Sequence, residues 1–482
     1  MDITTIGKLP LNYTPINNGW PIFLSGFFSL FSFENSISYM ELQRMLSIII
    51  STFTFIPIYY LCRKFVNSSF SIIGATIFVF EPRIIQNSLL GIADPLYIFL
   101  SACSLALIFD SREKLAYFAF VFSGLATIVR SEGLFLFIGI SIIFILKSKK
   151  NKIIIPKYVI AGIIFFLIIM PISLYKIDVQ ETDGLFYRIS NSLNTSLDPP
   201  TEIDPNWVTP PRSLPDAILT SLEYFPKYLI WNLIPIFIFF VPIGIIFLFR
   251  EMNWMKVGVI ISMISMSLPA LFAYSLPLEE TRYFYFIYPL FCVVSVLALP
   301  KILNQFKKQN LVLVLLVIGI LISSSIFMQF KMWDTQHETE AYMIAEYISE
   351  NTMGVNQYYP ESVYIIPAQI PKLTQELQSY FFLEREDKIS IKSSTLDKIN
   401  VIPTKNLNSL NELIEYGQNI GLSHIVIDDK NRNNFLDQSI FDVEKFPFLT
   451  KVFDSKDKQF DYVVQIYEID FKQYFKMKNN ND

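Results

Sequence analysis

The stretch Leu311–Phe330, LVLVLLVIGILISSSIFMQF, decides the fold. It carries no charged side chain, and at about 1.5 Å per residue a helix of this length crosses the hydrocarbon core of a bilayer. Lys301, Lys307 and Lys308 lie just before it, and from Lys331 to Asp482 the chain is polar with no second such run. Short basic loops stay in the cytoplasm. This span therefore runs outward, and the polar tail is expected on the extracytoplasmic side.

Working back from it, apolar runs recur at 45–62, 66–80, 94–109, 115–130, 131–147, 156–176, 228–249, 255–276, 283–300 and 311–330. Positive charge alternates between the loops joining them. One set holds Arg63 and Lys64, then Arg112 and Lys114, then Lys147, Lys149, Lys150, Lys152 and Lys157, then Arg250 and Lys256. The other set holds Arg83, Arg130, Arg188, Arg212, Lys227 and Arg282, and includes the long acidic loop Ile177–Phe225. The first set reads as cytoplasmic and the second as external. The expected fold is mainly α: a polytopic helical membrane bundle of about ten spans, followed by a small α/β extracytoplasmic domain. The expected divisions are an external or interfacial segment 1–44, a bundle 45–330 and a soluble domain 331–482. The chain is expected as a multi-pass protein of the cell membrane, with the lipid bilayer as its first partner.

Composition agrees. The chain has 482 residues, 52% of them hydrophobic and 45 of them Phe, with mean hydropathy +0.41, more apolar than an ordinary soluble domain. A net charge of -4 supplies no basic stripe for phosphates, which argues against a nucleic-acid partner. Cys62, Cys103 and Cys292 sit in apolar runs without metal spacing, as buried small hydrophobes do. His337 and His424 both lie in the tail, so no histidine metal site is expected in the bundle. An even number of spans leaves residues 1–44 on the external side with nothing to carry them across. Trp20–Phe33 is short for a span and reads as an interfacial or re-entrant helix packed on the bundle, so a further span upstream of Met1 is expected.

In the tail, His337–Asn351 and Leu407–Asn419 read as helices, and Ser362–Ile366, His424–Ile427 and Tyr462–Ile469 as strands. No dinucleotide fingerprint or P-loop occurs. Asp428-Asp429 at a strand end is a candidate cation site, with a solvated turn the plainer reading. Lys476–Asp482 is expected to fray. Sequons begin at Asn12, Asn67 and Asn194.

Ionisable groups near a bilayer are expensive and mark function. Four clusters fall on the external ends of spans: Glu81-Pro82-Arg83, Asp94-Pro95-Leu96-Tyr97, Arg130-Ser131-Glu132 and Glu279-Glu280-Thr281-Arg282-Tyr283. Carboxylates there can act as a base or hold sugar hydroxyls, and arginines can pair with a phosphate. Helix-end charges paired with one another are the plain alternative.

Gly19-Trp20-Pro21, EPRIIQNSLLGIADPLYIFL (81–100), GLATIVRSEGL (124–134) and EETRYFYFIYPLF (279–291) together resemble the GT-C glycosyltransferases. They look most like the membrane sugar transferases akin to protein O-mannosyltransferases and lipid A aminoarabinose transferases. The resemblance implies transfer of a sugar from a polyprenyl (dolichyl-type) phosphate donor to a glycan, lipid or protein acceptor on the external face. It implies Arg83, Arg130 and Arg282 as donor-phosphate ligands and Asp94 as a catalytic acid of the second external loop. Glu81, Glu132, Glu279, Glu280 and Tyr283 become sugar or acceptor contacts. It requires no cofactor beyond the donor, with a divalent cation as an option. The leading catalytic acid of the family lies in its first external loop, and Asp2 is the acid that precedes Glu34 here. The Trp-Trp-Asp-Tyr-Gly signature of oligosaccharyltransferase catalytic subunits is absent, which disfavours block transfer of an oligosaccharide. Two other readings stand beside the transferase: a transporter or flippase, which calls for polar groups inside the spans, and an inactive scaffold whose tail binds a partner.

Overall fold

The computed structural model describes residues 18–31, 33, 36–147, 153–180, 214–275, 281–330, 340, 343–344, 347, 409–420, 424–428, 446–461 and 463–481. Asp2, Glu279, Glu280, Ser362–Ile366, Asp429 and the sequons at Asn12 and Asn194 lie outside the described residues, as does the Asp428 side chain. The chain divides into two units, Met1–Met332 and Trp333–Asp482.

The first unit is helical. Its elements are α1 (Gly19–Phe28), α2 (Ser36–Phe53), α3 (Phe55–Cys62), α4 (Ser68–Val79), α5 (Pro82–Leu89), α6 (Asp94–Ile108), α7 (Glu113–Val129), α8 (Gly133–Lys147), α9 (Ile154–Gln180), α10 (Leu214–Leu233), α11 (Phe237–Phe249), α12 (Trp254–Ser275), a 3₁₀ helix (Arg282–Ile287), α13 (Tyr288–Leu297), α14 (Leu299–Leu303) and α15 (Gln309–Phe330). Many large side chains remain exposed on the outer helices, among them Phe166, Leu167 and Met170 of α9 and Leu315 and Ile322 of α15. An outer surface so apolar suits lipid rather than water.

Among the described residues, five helical stretches are long and apolar enough to cross a membrane: Ser38–Cys62, Ile154–Asp178, Trp254–Ser275, Arg282–Leu303 and Gln309–Phe330. The number reaches seven if each of two bent pairs counts as one span, so the ten expected spans are not all met. Asp94–Ile108 and Gly133–Lys147 have 15 residues each. That gives about 22 Å of helix, short of a core about 30 Å thick. The expected straight span 228–249 is instead two helices meeting at 109°, and a shorter helix, α5, leaves α4 at 49°. The sharp bend follows from Pro235, which has no N–H to offer the Trp231 carbonyl one turn earlier. Helix α10 also begins at Leu214, inside what the sequence reads as an external loop.

The helix expected near Trp20 is α1, and it packs on the bundle through Trp20, Leu24 and Phe28. Trp20 donates from Nε1 to the Gly91 carbonyl at 3.0 Å, and Gln43 Nε2 donates to the same oxygen at 2.6 Å. Gly91 has φ +67°, a left-handed conformation that glycine adopts without Cβ strain. Arg44 Nε donates to Leu89 O at 2.7 Å. Three side chains from α1 and α2 thus pin the loop that delivers Asp94. Asn67 caps α4, accepting from the Phe70 amide at 3.2 Å.

In the second unit, β1 (His424–Asp428), β2 (Leu449–Asp454) and β3 (Val464–Ile469) form a sheet in the order β1-β3-β2 with both pairings antiparallel. Helix α16 (Leu410–Ile420) matches the expected segment, whereas β2 and α17 (Phe471–Asn481) were not anticipated. Lys476–Asn481 is helical rather than frayed. Tyr474 packs edge-on to Phe448 at 5.0 Å, and Lys478 reaches Glu415 at 2.6 Å.

Candidate active site

Asp94 opens α6 and Pro95 follows it. Proline suits the first helical turn, where its missing N–H is not needed, and an acid there meets the positive end of the helix dipole. Asp94 is fully buried. Its Oδ1 accepts from Arg130 Nη1, and Arg130 Nη2 donates to Glu132 Oε1 at 2.8 Å. Arg130 sits where α7 stops. Its backbone is extended (φ -148°, ψ 132°), which breaks the helix, and its carbonyl accepts from the Gly133 amide at 2.9 Å to start α8. The turn is tight: a Cβ on Gly133 would stand 2.5 Å from the Thr127 amide nitrogen. One guanidinium therefore neutralises two carboxylates, and it stacks over the Phe286 ring at 4.8 Å. Tyr97 meets the same ring edge-on at 4.6 Å.

Arg282, half-buried at the start of the 3₁₀ helix, is close enough to interact electrostatically with Asp94. Four sequence candidates, Asp94, Arg130, Glu132 and Arg282, therefore converge. Asp94 Oδ2 is buried with no hydrogen-bond partner among the described residues.

Glu81 and Arg83 form a second cluster. Arg83 Nη2 donates to Trp231 O at 2.8 Å and Nε to Ile234 O at 3.2 Å. Its guanidinium lies 5.7 Å from the Trp231 ring and 5.4 Å from Phe327. The carbonyls at the end of a helix have no intrahelical donors, and Pro235 removes one more. Arg83 adds side-chain donors to the C-terminus of α10, where the backbone offers the Trp231 carbonyl the Ile234 amide at 3.3 Å. Among the described residues no side chain holds either carboxylate oxygen of buried Glu81, which has the Arg83 amide and charge beside it, and both side-chain polar atoms of Asn87 are buried without a hydrogen-bond partner.

The 3₁₀ helix lies between the clusters. Phe286 faces Arg130, while Tyr285 contacts Thr281 through its hydroxyl at 3.2 Å and is within electrostatic reach of Arg83 and Glu81. The Tyr288 hydroxyl lies 3.1 Å from Asn232 O and 3.0 Å from its Oδ1. Tyr283 packs against Tyr274, ring centres 6.1 Å apart. Sequence reasoning passed over Tyr285, Phe286, Tyr288 and Asn232. The aromatic run after Arg282 was the available signal, since Tyr hydroxyls in an apolar run need partners. Among the described residues no group of three or more His, Cys, Asp and Glu could hold a metal ion.

No protein-family model matches the sequence, and no curated protein matches it. Solved structures do. The Archaeoglobus fulgidus oligosaccharyltransferase in its apo form aligns with TM-score 0.54 at 12% identity, over 86% of this chain and 62% of that one. The same enzyme with an inhibitory peptide and dolichol-phosphate aligns with TM-score 0.51 at 12% identity, again over 86% and 62%. ArnT from Cupriavidus metallidurans bound to undecaprenyl phosphate aligns with TM-score 0.55 at 10% identity, over 97% of this chain and 91% of that one. The chain spans about three-fifths of the length of the oligosaccharyltransferases. At such identities the likeness is one of fold, and the fold is the helical membrane architecture of these transferases.

Proposed function

We propose that the chain is a GT-C-type membrane glycosyltransferase that moves a sugar from a polyprenyl phosphate to a glycan, lipid or protein acceptor on the external face. The observation that carries the proposal is the buried Asp94–Arg130–Glu132 cluster with Arg282 beside it, in a fold shared with a transferase bound to undecaprenyl phosphate. Arg130 anchors Asp94 through Oδ1, so Oδ2 is the atom offered to the acceptor. The acceptor hydroxyl or amine attacks the anomeric carbon, and Asp94 Oδ2 takes its proton. The bond from that carbon to the phosphate oxygen breaks, and polyprenyl phosphate leaves with the negative charge. Arg282 is the arginine assigned to that phosphate, because it stands within electrostatic reach of Asp94 at the start of the 3₁₀ helix and is half-buried there. Glu132 is held through Oε1 by Arg130 and faces the Ser131 hydroxyl through Oε2 at 3.5 Å, which places its carboxylate beside Asp94 as a contact for a sugar hydroxyl. The basic-loop alternation puts this end of the bundle, and the tail after Phe330, outside the cell.

The test is transfer from a radiolabelled polyprenyl-phosphate sugar by the purified protein in lipid nanodiscs. Asp94→Asn, which keeps the shape but not the base, is expected to lower turnover at least about a hundredfold. Arg282→Ala is expected to raise KM for the donor. Undiminished labelling in both variants refutes the assignment, and no labelling by the unaltered chain with any polyprenyl donor refutes the activity.

A further inference from the structure

At the other end of the bundle, an apolar groove of about 710 Å³ runs between α2–α3, α6 and α7. Its walls include Phe53, Tyr60, Cys103, Leu107, Leu115 and Phe122. Phe53 and Tyr60 are more than half exposed (57% and 56%), so the groove opens sideways, toward the surface that the apolar outer helices assign to lipid. Asp94 is the first residue of α6 and Asp110 follows its last turn, which separates this mouth from the candidate active site by about 22 Å of helix.

The mouth is basic. Arg63, Lys64 and Arg112 line it with a single carboxylate, Asp110. Asp110 is shared by Lys64 and by Arg112, whose Nε lies at 3.0 Å. Lys147 adds a further cation, donating to Ile108 O at 3.1 Å and to Asp110 O. Arg63 is exposed and makes no side-chain ion pair among the described residues. Among the lining residues one anion thus stands with three cations around an apolar slot, and Lys147 and Glu113 follow just outside it. Ligand sites of this volume are common, and a slot that is apolar inside and cationic at its rim complements one kind of molecule abundant in a bilayer.

We propose that this groove binds an anionic membrane phospholipid, its acyl chain between α3, α6 and α7 and its phosphate against Arg63 and Arg112. Basic side chains at a membrane surface attract acidic headgroups, and a guanidinium adds bidentate hydrogen bonds to phosphate oxygens. The site is separate from the donor site proposed above, and its test does not depend on sugar transfer.

Native mass spectrometry of the full chain, loaded with phosphatidylglycerol or phosphatidylcholine of matched acyl chains, reads the binding directly. Phosphatidylglycerol is expected to be retained several-fold over phosphatidylcholine. Arg63→Gln with Arg112→Gln is expected to abolish that preference, and Cys103→Phe, which fills the groove without touching a charge, is expected to reduce retention of both lipids. Thermal unfolding checks each variant. If the double variant does not fold, Arg63→Gln alone, at an exposed residue, is expected to lower the preference. Equal retention of the two lipids by the unaltered chain overturns the proposal, as does an unchanged preference in the Arg63 variants. Displacement by inorganic phosphate marks a free-anion site instead, and displacement by polyprenyl phosphate at equal concentration marks a donor groove. Either result overturns it too.

Discussion

Two helices of the bundle begin alike, with an acid followed by proline: Glu81-Pro82 at α5 and Asp94-Pro95 at α6. Both acids are fully buried and both have an arginine for a neighbour. They end in opposite circumstances. Arg130 gives its guanidinium to Asp94 and Glu132, whereas Arg83 spends its donors on the carbonyls of Trp231 and Ile234. Asp94 is a compensated charge with one oxygen to spare, and Glu81 is a carboxyl group that no side chain among the described residues holds by a hydrogen bond, with the Arg83 amide and charge as its neighbours. What an acid near an arginine can do is set by what else the arginine is asked to hold.

The contrast predicts a graded set of responses. Arg130→Ala removes the guanidinium that Asp94 and Glu132 share, and breaking a buried ion pair by removing one partner costs about 3–5 kcal/mol. It is expected to give the largest fall in thermal stability in detergent. Arg83→Ala takes the guanidinium from the Ile234 carbonyl and leaves the Trp231 carbonyl with only the Ile234 amide at 3.3 Å, at about 1–3 kcal/mol for a buried group left unsatisfied. If Arg83→Ala instead left stability untouched and raised donor KM, Arg83 would join the phosphate ligands and the contrast would collapse. Gly133→Ala drives a Cβ into the Thr127 backbone and is expected to cost about 1–3 kcal/mol by overpacking. It should also displace Glu132 and lower sugar transfer. Glu81→Gln keeps the shape and gives up the Arg83 charge and amide as neighbours, so unfolding is expected to shift by about 0.5–1.5 kcal/mol.

Asp454 in the second unit marks the mild end of the series. Burial pushes its carboxyl up, but Lys451 at 2.9 Å, the Lys456 amide at 3.0 Å and Gln465 at 2.6 Å outweigh it and hold it below the usual range. A carboxyl lowered in the folded state contributes stability above its ordinary value, near 3.9, and loses it as pH falls through the folded value. Protection factors of the β2–β3 amides in the full chain, corrected for intrinsic exchange at each pH, should therefore hold steady near neutrality and fall below about pH 4. Asp454→Asn should remove that acid step.

Much of this was legible in the sequence, unevenly. Apolar runs located α6 to α9, α12 and α15 within a few residues, because length and hydropathy are local. The Asp94, Arg130 and Arg282 group was legible too, since charges at span ends have few places to go. The role of Arg83 was not. It depends on Pro235, about 150 residues away along the chain, ending α10 against it. Nor was the bend at 234–236 legible, since Ile234, Ile236 and Phe237 on either side of the proline are as apolar as any span. In the second unit α16, β1 and β3 were readable from pattern. Strand β2 alternates poorly, with a register shift between Lys451 and Phe453, and the pairing direction was beyond reach of periodicity.

The 3₁₀ helix Arg282–Ile287 has three residues per turn, so its side chains form stripes along its length. Arg282 and Tyr285 fall on one stripe, and Tyr283 and Phe286 on the next. An α-helix of the same sequence would wind Tyr285 off the line of Arg282. The segment therefore works like a short camshaft with its lobes fixed in phase. Phe286 over Arg130 and Tyr285 toward Arg83 and Glu81 are thereby spaced by one short helix that touches both clusters.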